Sequence, residues 1–283
     1  MKKYYKILDE DMVMRGFKYK VGLNVDTREL KENIDSCSAG LHFSDKYNIL
    51  GFLEYGELIC EVKIPEGEKV IDYMSGNKSK AHSIILGEPR DLRKVETWEW
   101  IFEEGININA RNNCALEWAS EKGYLDIVKC LVEYGSDVNG DGCPLILSSN
   151  NGHIDVVKYL IEHGADVKVG DNFALMCAVD NGHIDVVKYL IEHGSDVNAR
   201  GGCALGHSSK IGNLDMVKIL VENGADIHEM DDRAIRYASE EGHLDVVKYL
   251  VEHGADIDTL KEYSTYLSEI NVHDDVVNYL KSL

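Results

Sequence analysis

A thirteen-residue string recurs along this chain at a fixed interval, and this repetition constrains the fold more than any other feature. Gly-His-Ile-Asp-Val-Val-Lys-Tyr-Leu-Ile-Glu-His-Gly occupies positions 152–164 and recurs unchanged at 182–194. Variants begin at Gly123, Gly212 and Gly242, so successive copies are 29, 30, 30 and 30 residues apart. A degraded copy at 272–280 and a half-repeat at 98–105 flank them. Such a period predicts a stack of supersecondary units, here five full units with a partial one at each end.

Each unit is predicted to form two short helices. In the second helix, apolar residues recur at helical spacing and form one face, as in Ile154, Val157, Leu160 and Ile161. Asp155 lies in the first turn, where the helix dipole favours a negative charge, and Lys158 can pair with it. Gly164 follows the last turn, a position that favours a left-handed residue. The first helix is shorter, as at 174–178, and Gly182 ends it.

The repeated unit resembles the ankyrin repeat. That family's Thr-Pro-Leu-His-x-Ala stretch is matched by Cys-Ala-Leu-Glu-Trp-Ala at 114–119 and Cys-Pro-Leu-Ile-Leu-Ser at 143–148. Its Gly-Ala-Asp-Val-Asn element is matched by Gly-Ser-Asp-Val-Asn at 194–198. The resemblance implies a mainly α fold, an ankyrin-type α-solenoid of helix-turn-helix repeats, and a role in binding another protein.

The repeat departs from the common ankyrin pattern in two ways. Its period is 30 residues rather than about 33, so we expect a tight loop in place of the hairpin finger between units. The histidine of the family's Thr-Pro-Leu-His tetrapeptide is absent, and its position holds Glu117, Ile146, Met176, Gly206 and Arg236. The hydrogen bond by which that histidine braces the loop is therefore not expected. The shortened unit resembles the ankyrin proteins of giant amoebal viruses.

The first 93 residues do not repeat and are predicted to form a small α+β domain ahead of the array at 94–283. Stretches 4–8, 17–21 and 58–64 alternate like strands, with turns at Gly22, Gly56 and 65–67. Residues 44–55 are predicted to form one helix. We expect the domain boundary at 90–96, where limited proteolysis should cut. The domain resembles an uncharacterised module found ahead of ankyrin arrays in the same viral proteins.

An alternative hypothesis is that this N-terminal domain is a small ADP-ribosyltransferase directed to its target by the repeats. Gly-Leu-His-Phe-Ser at 40–44 and Cys-Glu-Val at 60–62 are loosely similar to a core segment of those enzymes. That resemblance implies that Arg15 and His42 hold a nicotinamide dinucleotide and that Glu61 polarises the ribose. The simpler reading places His42 and Phe43 on a strand of a recognition domain, with no catalytic residue, no cofactor and no enzymatic activity.

Charge and composition narrow the class of partner. The formal net charge is −20; residues 1–93 contain 15 basic and 16 acidic residues, which leaves a net charge of −19 on the remainder. An acidic array repels phosphate backbones and anionic lipids, so we expect no nucleic acid and no membrane partner, but a protein with a basic patch. The apolar runs are too short for a membrane span.

The cysteines and histidines favour structural roles. The seven cysteines (37, 60, 114, 130, 143, 177 and 203) include no Cys-x-x-Cys pair, which favours reduced thiols and a cytoplasmic protein, in the host cytoplasm if it is viral. Histidines follow the repeat register rather than a cluster, so each is expected to serve its own unit and to bind no metal.

The candidate binding residues are those that differ between units, because the second helices scarcely change. By resemblance to ankyrin arrays they line a concave face. They comprise Asn113, Glu117, Glu121, Lys122, Ile146, Asn150, Asn172, Met176, Asp180, Lys210, Ile211, Arg236 and Glu240. The sequence thus predicts a non-enzymatic scaffold or adaptor for a host or viral protein, because solenoids commonly bind partners through such a face. Drift at solvated positions would also produce this variety, and no pattern indicates an oligomeric state.

Overall fold

A computed structural model describes residues 2–28, 39–140, 143–256 and 273–283. They form two compact units, Met1–Pro144 and Leu145–Leu283. The first unit therefore holds the strand-rich N-terminal domain together with the first helices, whereas the predicted boundary at 90–96 remains a prediction. Cys37 lies outside the described residues; the six described cysteines are free thiols. No described helix is long and apolar enough to cross a membrane.

The N-terminal domain is built on an antiparallel sheet of long and short strands. Its strands, in chain order, are β1 (Tyr4–Leu8), β2 (Val13–Met14), β3 (Phe17–Lys18), β4 (Gly22–Val25), β5 (Leu41–Asp45), β6 (Leu58–Lys63), β7 (Ile71–Asp72), β8 (Ser79–Ala81), β9 (Ser83–Leu86) and β10 (Arg90–Asp91). The main sheet runs β4-β9-β6-β1-β5-β8-β7, β10 also pairs with β6, and β2 and β3 form a separate hairpin. Leu8, Leu41, Phe43 and Cys60 belong to the buried cluster on one face of this sheet.

The predicted helix at 44–55 is only partly present. Ser44 is the fourth residue of strand β5, and a 3-10 helix occupies Ile49–Tyr55. The carboxylate of Asp45 accepts the backbone N–H of Tyr47 (3.1 Å) and the side-chain amide of Asn48 (2.9 Å), which supports a turn between them. Local side-chain bonds of this kind compete with a helix. The predicted strands at 4–8 and 58–64 are confirmed, whereas 17–21 is a two-residue strand.

Three helices complete the first unit: α1 (Val95–Glu103), α2 (Ala110–Lys122) and α3 (Leu125–Glu133). Trp98 on α1 is fully buried, and its indole N–H donates to the carbonyl of Leu92 (2.7 Å). Glu104 accepts hydrogen bonds from Lys3 (2.5 Å) and from the Tyr5 hydroxyl (2.9 Å). The 3-10 helix packs on α2. The first helices thus share a core with the N-terminal strands.

This packing predicts that fragment 1–144 is more stable than fragment 1–93. Removing the helices would expose Leu50 and Leu53 of the 3-10 helix, both buried, and would break the 2.7 Å bond between Tyr124 and Glu57. We expect the shorter fragment to lose at least about 2 kcal/mol of unfolding free energy. Urea unfolding of both fragments, followed by circular dichroism, measures this difference in unfolding free energy. Equal unfolding midpoints and slopes for the two fragments would contradict the shared core.

The repeats alternate first and second helices, as the period predicts. They are α4 (Pro144–Asn150), α5 (Ile154–Glu162), α6 (Val169–Asp180), α7 (Ile184–Glu192), α8 (Ala199–Lys210), α9 (Leu214–Glu222), α10 (Glu229–Glu240), α11 (Leu244–Glu252) and the last described helix, Asp274–Ser282. In α5, Val156, Val157 and Leu160 are buried, and the equivalent positions of α7 and α11 are buried too. Gly164 has a left-handed φ of 93°, as predicted for the residue after this helix.

A left-handed turn takes the place of the ankyrin finger between units. Residues 170–172, 200–202 and 230–232 all have φ between 54° and 64°, so the right-handed parts of α6, α8 and α10 begin at Phe173, Cys203 and Arg233. Gly, Asn and Asp adopt this conformation at the lowest cost, and seven of these nine residues are of those types; the exceptions are Arg200 and Met230. The expected shortening of the loop is confirmed.

The repeated Gly-His pair connects neighbouring units of the second compact unit. Gly152 follows α4 with a φ of 72°, and a Cβ placed on it would lie 2.5 Å from Nδ1 of His183 in the next unit. His183 Nε2 donates to the carbonyl of Asn150 (3.0 Å). His243 repeats this arrangement with the carbonyl of Lys210 (2.9 Å). The expectation that each histidine serves only its own unit is therefore wrong for these two.

The predicted pairing of Asp155 with Lys158 is also wrong. No ion pair joins them within the described part of the chain, and Lys158 Nζ instead lies 5.8 Å from the ring centre of Tyr189 in the next unit. On a stacked array, a long lysine side chain can reach a neighbouring aromatic ring as easily as its own helix. The spacing of residues within one helix does not indicate that an aromatic ring of the next unit lies nearby.

Candidate protein-binding surface

The candidate residues at the ends of the first helices are exposed. In the first unit they are Glu121 and Lys122. We call the equivalent positions of the second unit the helix-end strip; its members are Asn150, Asp180, Lys210, Ile211 and Glu240. Each follows or ends a helix whose preceding turn is buried. The strip is therefore presented on rigid elements rather than on mobile loops, which suits recognition.

Three other candidates are buried, against expectation. Met176 is 9% exposed, Asn113 is 8% exposed and Asn172 is 7% exposed. Asn172 has a φ of 59°, and its side-chain oxygen accepts the backbone N–H of Asp196 (2.9 Å). The side-chain amide of Asn113 donates to the carbonyl of Asp137 (3.3 Å). Left-handed backbone geometry and bonds to the following loop explain why this column holds Asn, Gly or Asp.

The remaining candidates, Glu117, Ile146 and Arg236, are half-buried. The guanidinium of Arg236 donates to the carbonyl of Met230 (3.1 Å), so it supports the left-handed turn of its own unit. Among the candidate positions, those at the helix ends are exposed and the others are not.

Within the second compact unit, the strip is polar with one apolar side chain. Asp180 accepts a 2.8 Å hydrogen bond from His207 Nδ1, and Lys210 Nζ lies 5.5 Å from the ring centre of Tyr237. Ile211 is 55% exposed between these polar groups. An exposed isoleucine beside fixed charges offers a partner both apolar contact and electrostatic complementarity.

Two exposed apolar side chains beside the left-handed turns were not predicted from the sequence. Phe173 is 39% exposed, and the guanidinium of Arg200 lies 4.7 Å from its ring centre. Arg200 also donates to the carbonyl of Gly170 (2.6 Å). Met230 is 53% exposed. Phe173 stands where three other units hold Cys114, Cys143 and Cys203, and this difference was the signal in the sequence for it.

The outer histidines stack on tyrosines of their own helices. The rings of Tyr159 and His163 lie 3.8 Å apart, and His163 Nδ1 donates to the carbonyl of Tyr159 (2.8 Å). The same pairing recurs at His193 and His253. Within the residues that the structure describes, no three metal-ligating side chains form a group.

The residues assigned to the transferase reading are only partly brought together. Arg15 and His42 line one pocket of the N-terminal domain, but Glu61 is not among the residues that line it. His42 and Phe43 lie on strand β5, as the simpler reading predicts. Glu61 lies on β6, where its register partner is Tyr5 of the neighbouring strand β1.

Comparison with known proteins agrees with the architecture. Models of the ankyrin repeat match residues 139–201, 197–261 and 111–141. An ankyrin repeat protein of Acanthamoeba polyphaga mimivirus is 40% identical over 137 residues, which cover 47% of this chain and 67% of that protein. The chain belongs to the ankyrin-repeat family. This ankyrin-repeat protein also matches a domain of unknown function, DUF7666, over residues 2–95.

Other relatives of this ankyrin-repeat protein come from the same virus. A second mimivirus ankyrin repeat protein is 37% identical over 144 residues, 49% of this chain but only 43% of that protein. An uncharacterized mimivirus protein is 35% identical over 137 residues, 99% of its length. Ankyrin repeats are protein-interaction scaffolds, and no comparison supports the transferase reading.

Proposed function

We propose that this protein is a non-enzymatic adaptor whose repeats bind a host or viral protein through the helix-end strip. The observation that carries the proposal is a contrast within the repeats. The helix-end positions differ from unit to unit and are exposed, whereas the buried residues of the second helices are nearly identical. A stable scaffold with a variable exposed surface is the arrangement by which repeat proteins recognise partners.

The acidic charge favours a partner with a basic patch. Residues beyond position 93 contain 34 acidic and 15 basic residues, and Asp180 and Glu240 of the strip are exposed acids. Complementary charge would speed association and make it sensitive to salt. We place this interaction in the cytoplasm of an infected host cell, by analogy with the mimivirus relatives.

The test compares two charge reversals of equal size. The strip variant carries Asp180→Lys and Glu240→Lys; the control variant carries Glu192→Lys and Glu252→Lys, exposed residues at the ends of second helices. A partner is first identified by cross-linking and mass spectrometry in infected amoebae and then purified. We expect the strip variant to weaken its binding at least about tenfold, or 1.4 kcal/mol, with the control near the wild-type affinity.

Thermal unfolding guards against a folding artefact. Both pairs are exposed, but Asp180→Lys removes the hydrogen bond from His207, so the strip variant should lose up to about 1 kcal/mol of unfolding free energy and each control substitution less than about 0.5 kcal/mol. Equal weakening by both variants would indicate a non-specific charge effect. Unchanged binding by the strip variant would place the interface elsewhere. The buried Met176 is unsuitable for such a test, because a charge there would disturb packing.

A further inference from the structure

A pocket in the N-terminal domain combines a basic side with an apolar side. It is open to solvent and is lined by residues of strands β1 and β5, of the β2–β3 hairpin and of the 3-10 helix. Lys6, Arg15 and Lys78 lie on its basic side. Ile49, Phe52 and Tyr55 of the 3-10 helix supply the apolar side. All of these residues belong to the first compact unit.

Lys6 is the most unusual residue of this pocket. It is 2% exposed on the central strand β1, and its Nζ donates to the carbonyl of His42 (2.7 Å) and to Met14 Sδ (3.5 Å). Nζ also lies 4.4 Å from the ring centre of Tyr19. Within the described residues, these contacts of Nζ include no carboxylate. A buried ammonium in such surroundings is costly unless an anion compensates it.

Charge around the pocket is predominantly positive. Burial, and then the positive charge of Arg15, lowers the pKa of Lys6 to about 7, although Cys60 acts against that shift. Burial, followed by Lys6, Lys78, Arg15 and Lys80, lowers the pKa of His42 to about 3. His42 is therefore neutral at pH 7, and its Nε2 lies 2.7 Å from the Tyr73 hydroxyl.

Arg15 occupies a backbone position that other residues fill more easily. It forms the two-residue tip of the β2–β3 hairpin with Gly16, and their φ angles are 52° and 78°. Positive φ at both positions is the pattern of a type I′ turn, which prefers Asn-Gly. An arginine at the first position therefore carries backbone strain while its side chain lines the pocket, a combination found at functional sites.

We propose that this pocket binds a small phosphate monoester with an aromatic body. The phosphate group would lie against Lys6, Arg15 and Lys78, and the aromatic body against Phe52 and Tyr55. A phosphate monoester carries close to two negative charges and three acceptor oxygens, which suits several converging cations better than a single carboxylate does. An aromatic ring suits the apolar side of the pocket. This binding is independent of the proposed partner.

The experiment is isothermal titration calorimetry on the full chain with three probes: phenyl phosphate, inorganic phosphate and phenol. We expect phenyl phosphate to bind at least about tenfold more tightly than either of the others. Phenol binding as tightly as phenyl phosphate would overturn the role of the cations. If inorganic phosphate bound as tightly as phenyl phosphate, the proposed contact of an aromatic body with Phe52 and Tyr55 would be wrong. Absence of phenyl phosphate binding at millimolar concentration would overturn the whole proposal.

Variants of the basic side provide the control for folding. Arg15→Asn restores the residue that the turn prefers, and Lys6→Met removes a buried charge while keeping the side-chain stem, so neither should lower the thermal midpoint. Each is expected to weaken phenyl phosphate binding at least about tenfold, whereas Lys63→Gln, an exposed residue outside the pocket, should leave it unchanged. Unaltered affinity in both pocket variants would contradict the proposal.

Affinity should also fall as pH rises. Lys6 loses its proton above a pKa of about 7 in the free protein, so a bound phosphate monoester must draw a proton onto it. The other titratable groups around it are Arg15, Tyr19, His42 and Cys60. We expect weaker binding at pH 9 than at pH 7.5, with a smaller change in Lys6→Met. An identical pH dependence in that variant would contradict the role of Lys6.

Discussion

Replacing Val157 with Asp is expected to lower the unfolding free energy of the repeats by about 3–5 kcal/mol. Val157 is fully buried on α5, which packs against α7 of the next unit. An aspartate there must either remain ionised without a partner or take up a proton, and both states are unfavourable. Urea unfolding followed by circular dichroism measures the loss, fitted with a repeat-by-repeat scheme because arrays need not unfold in one step.

A matched control places the same carboxylate one residue further along the helix. Lys158 is exposed, and its Nζ lies 5.8 Å from the ring centre of Tyr189. Lys158→Asp should therefore cost no more than about 1 kcal/mol. If the two aspartates destabilised the repeats equally, charge rather than burial would be responsible, and the assignment of Val157 to the core would be wrong.

Gly152→Ala is expected to cost about 2–4 kcal/mol, because it combines backbone strain with a clash against the next unit. The φ of Gly152 is 72°, and its added Cβ would lie 2.5 Å from His183 Nδ1. The imidazole must move, and its 3.0 Å bond to the carbonyl of Asn150 is then lost or weakened. Chemical unfolding of the full chain gives the size of the effect.

The strain and the clash can be separated. Gly164 has a φ of 93° and no atom within 4 Å of an added Cβ, so Gly164→Ala measures strain alone, about 1–2 kcal/mol. Combining Gly152→Ala with His183→Ala removes the clash. The double variant should therefore cost less than the sum of the single variants by about 1 kcal/mol. Strict additivity would show that the two residues do not interact.

One repeat of the second compact unit provides a natural comparison for this contact. Gly182 faces Asn213 rather than a histidine, and the nearest atom to its added Cβ, Asn213 Nδ2, is 3.8 Å away. Asn213 instead caps its own helix by accepting the backbone N–H of Met216 (3.1 Å). Histidine at this position connects two units, whereas asparagine stabilises one. The identity of this residue therefore decides between coupling of repeats and local helix stability.

The local architecture could be predicted from the sequence because its determinants are close together in the chain. Apolar spacing identified the second helices, glycine identified their ends, and alternation identified β1 and β6. The 30-residue period also predicted the absence of a hairpin finger. Each of these features depends on backbone geometry within a few residues, and a periodic pattern repeats the same signal in every unit.

The candidate site was predictable only in part. The exposed helix-end strip followed from variation between units, but variation at Asn113 and Asn172 has another cause, a left-handed backbone that admits Asn, Gly or Asp. Met176 is covered by packing that its own sequence neighbours do not indicate. Variation alone could not separate a recognition position from a backbone constraint, because both produce polar residues at the same points of the repeat.

The sequence by itself determined that this chain forms stacked helix pairs of the ankyrin type, which follow a strand-rich domain along the chain. Periodic apolar faces must be buried against neighbouring helices, and this requirement predicts the stack. Only the tertiary structure decided which unit His183 serves, that Lys158 lies near Tyr189 rather than pairing with Asp155, and that Lys6 and Arg15 line one pocket. These contacts join residues that are distant in the chain or compete with local partners. Their energies depend on three-dimensional distance, burial and local dielectric rather than on spacing in the sequence.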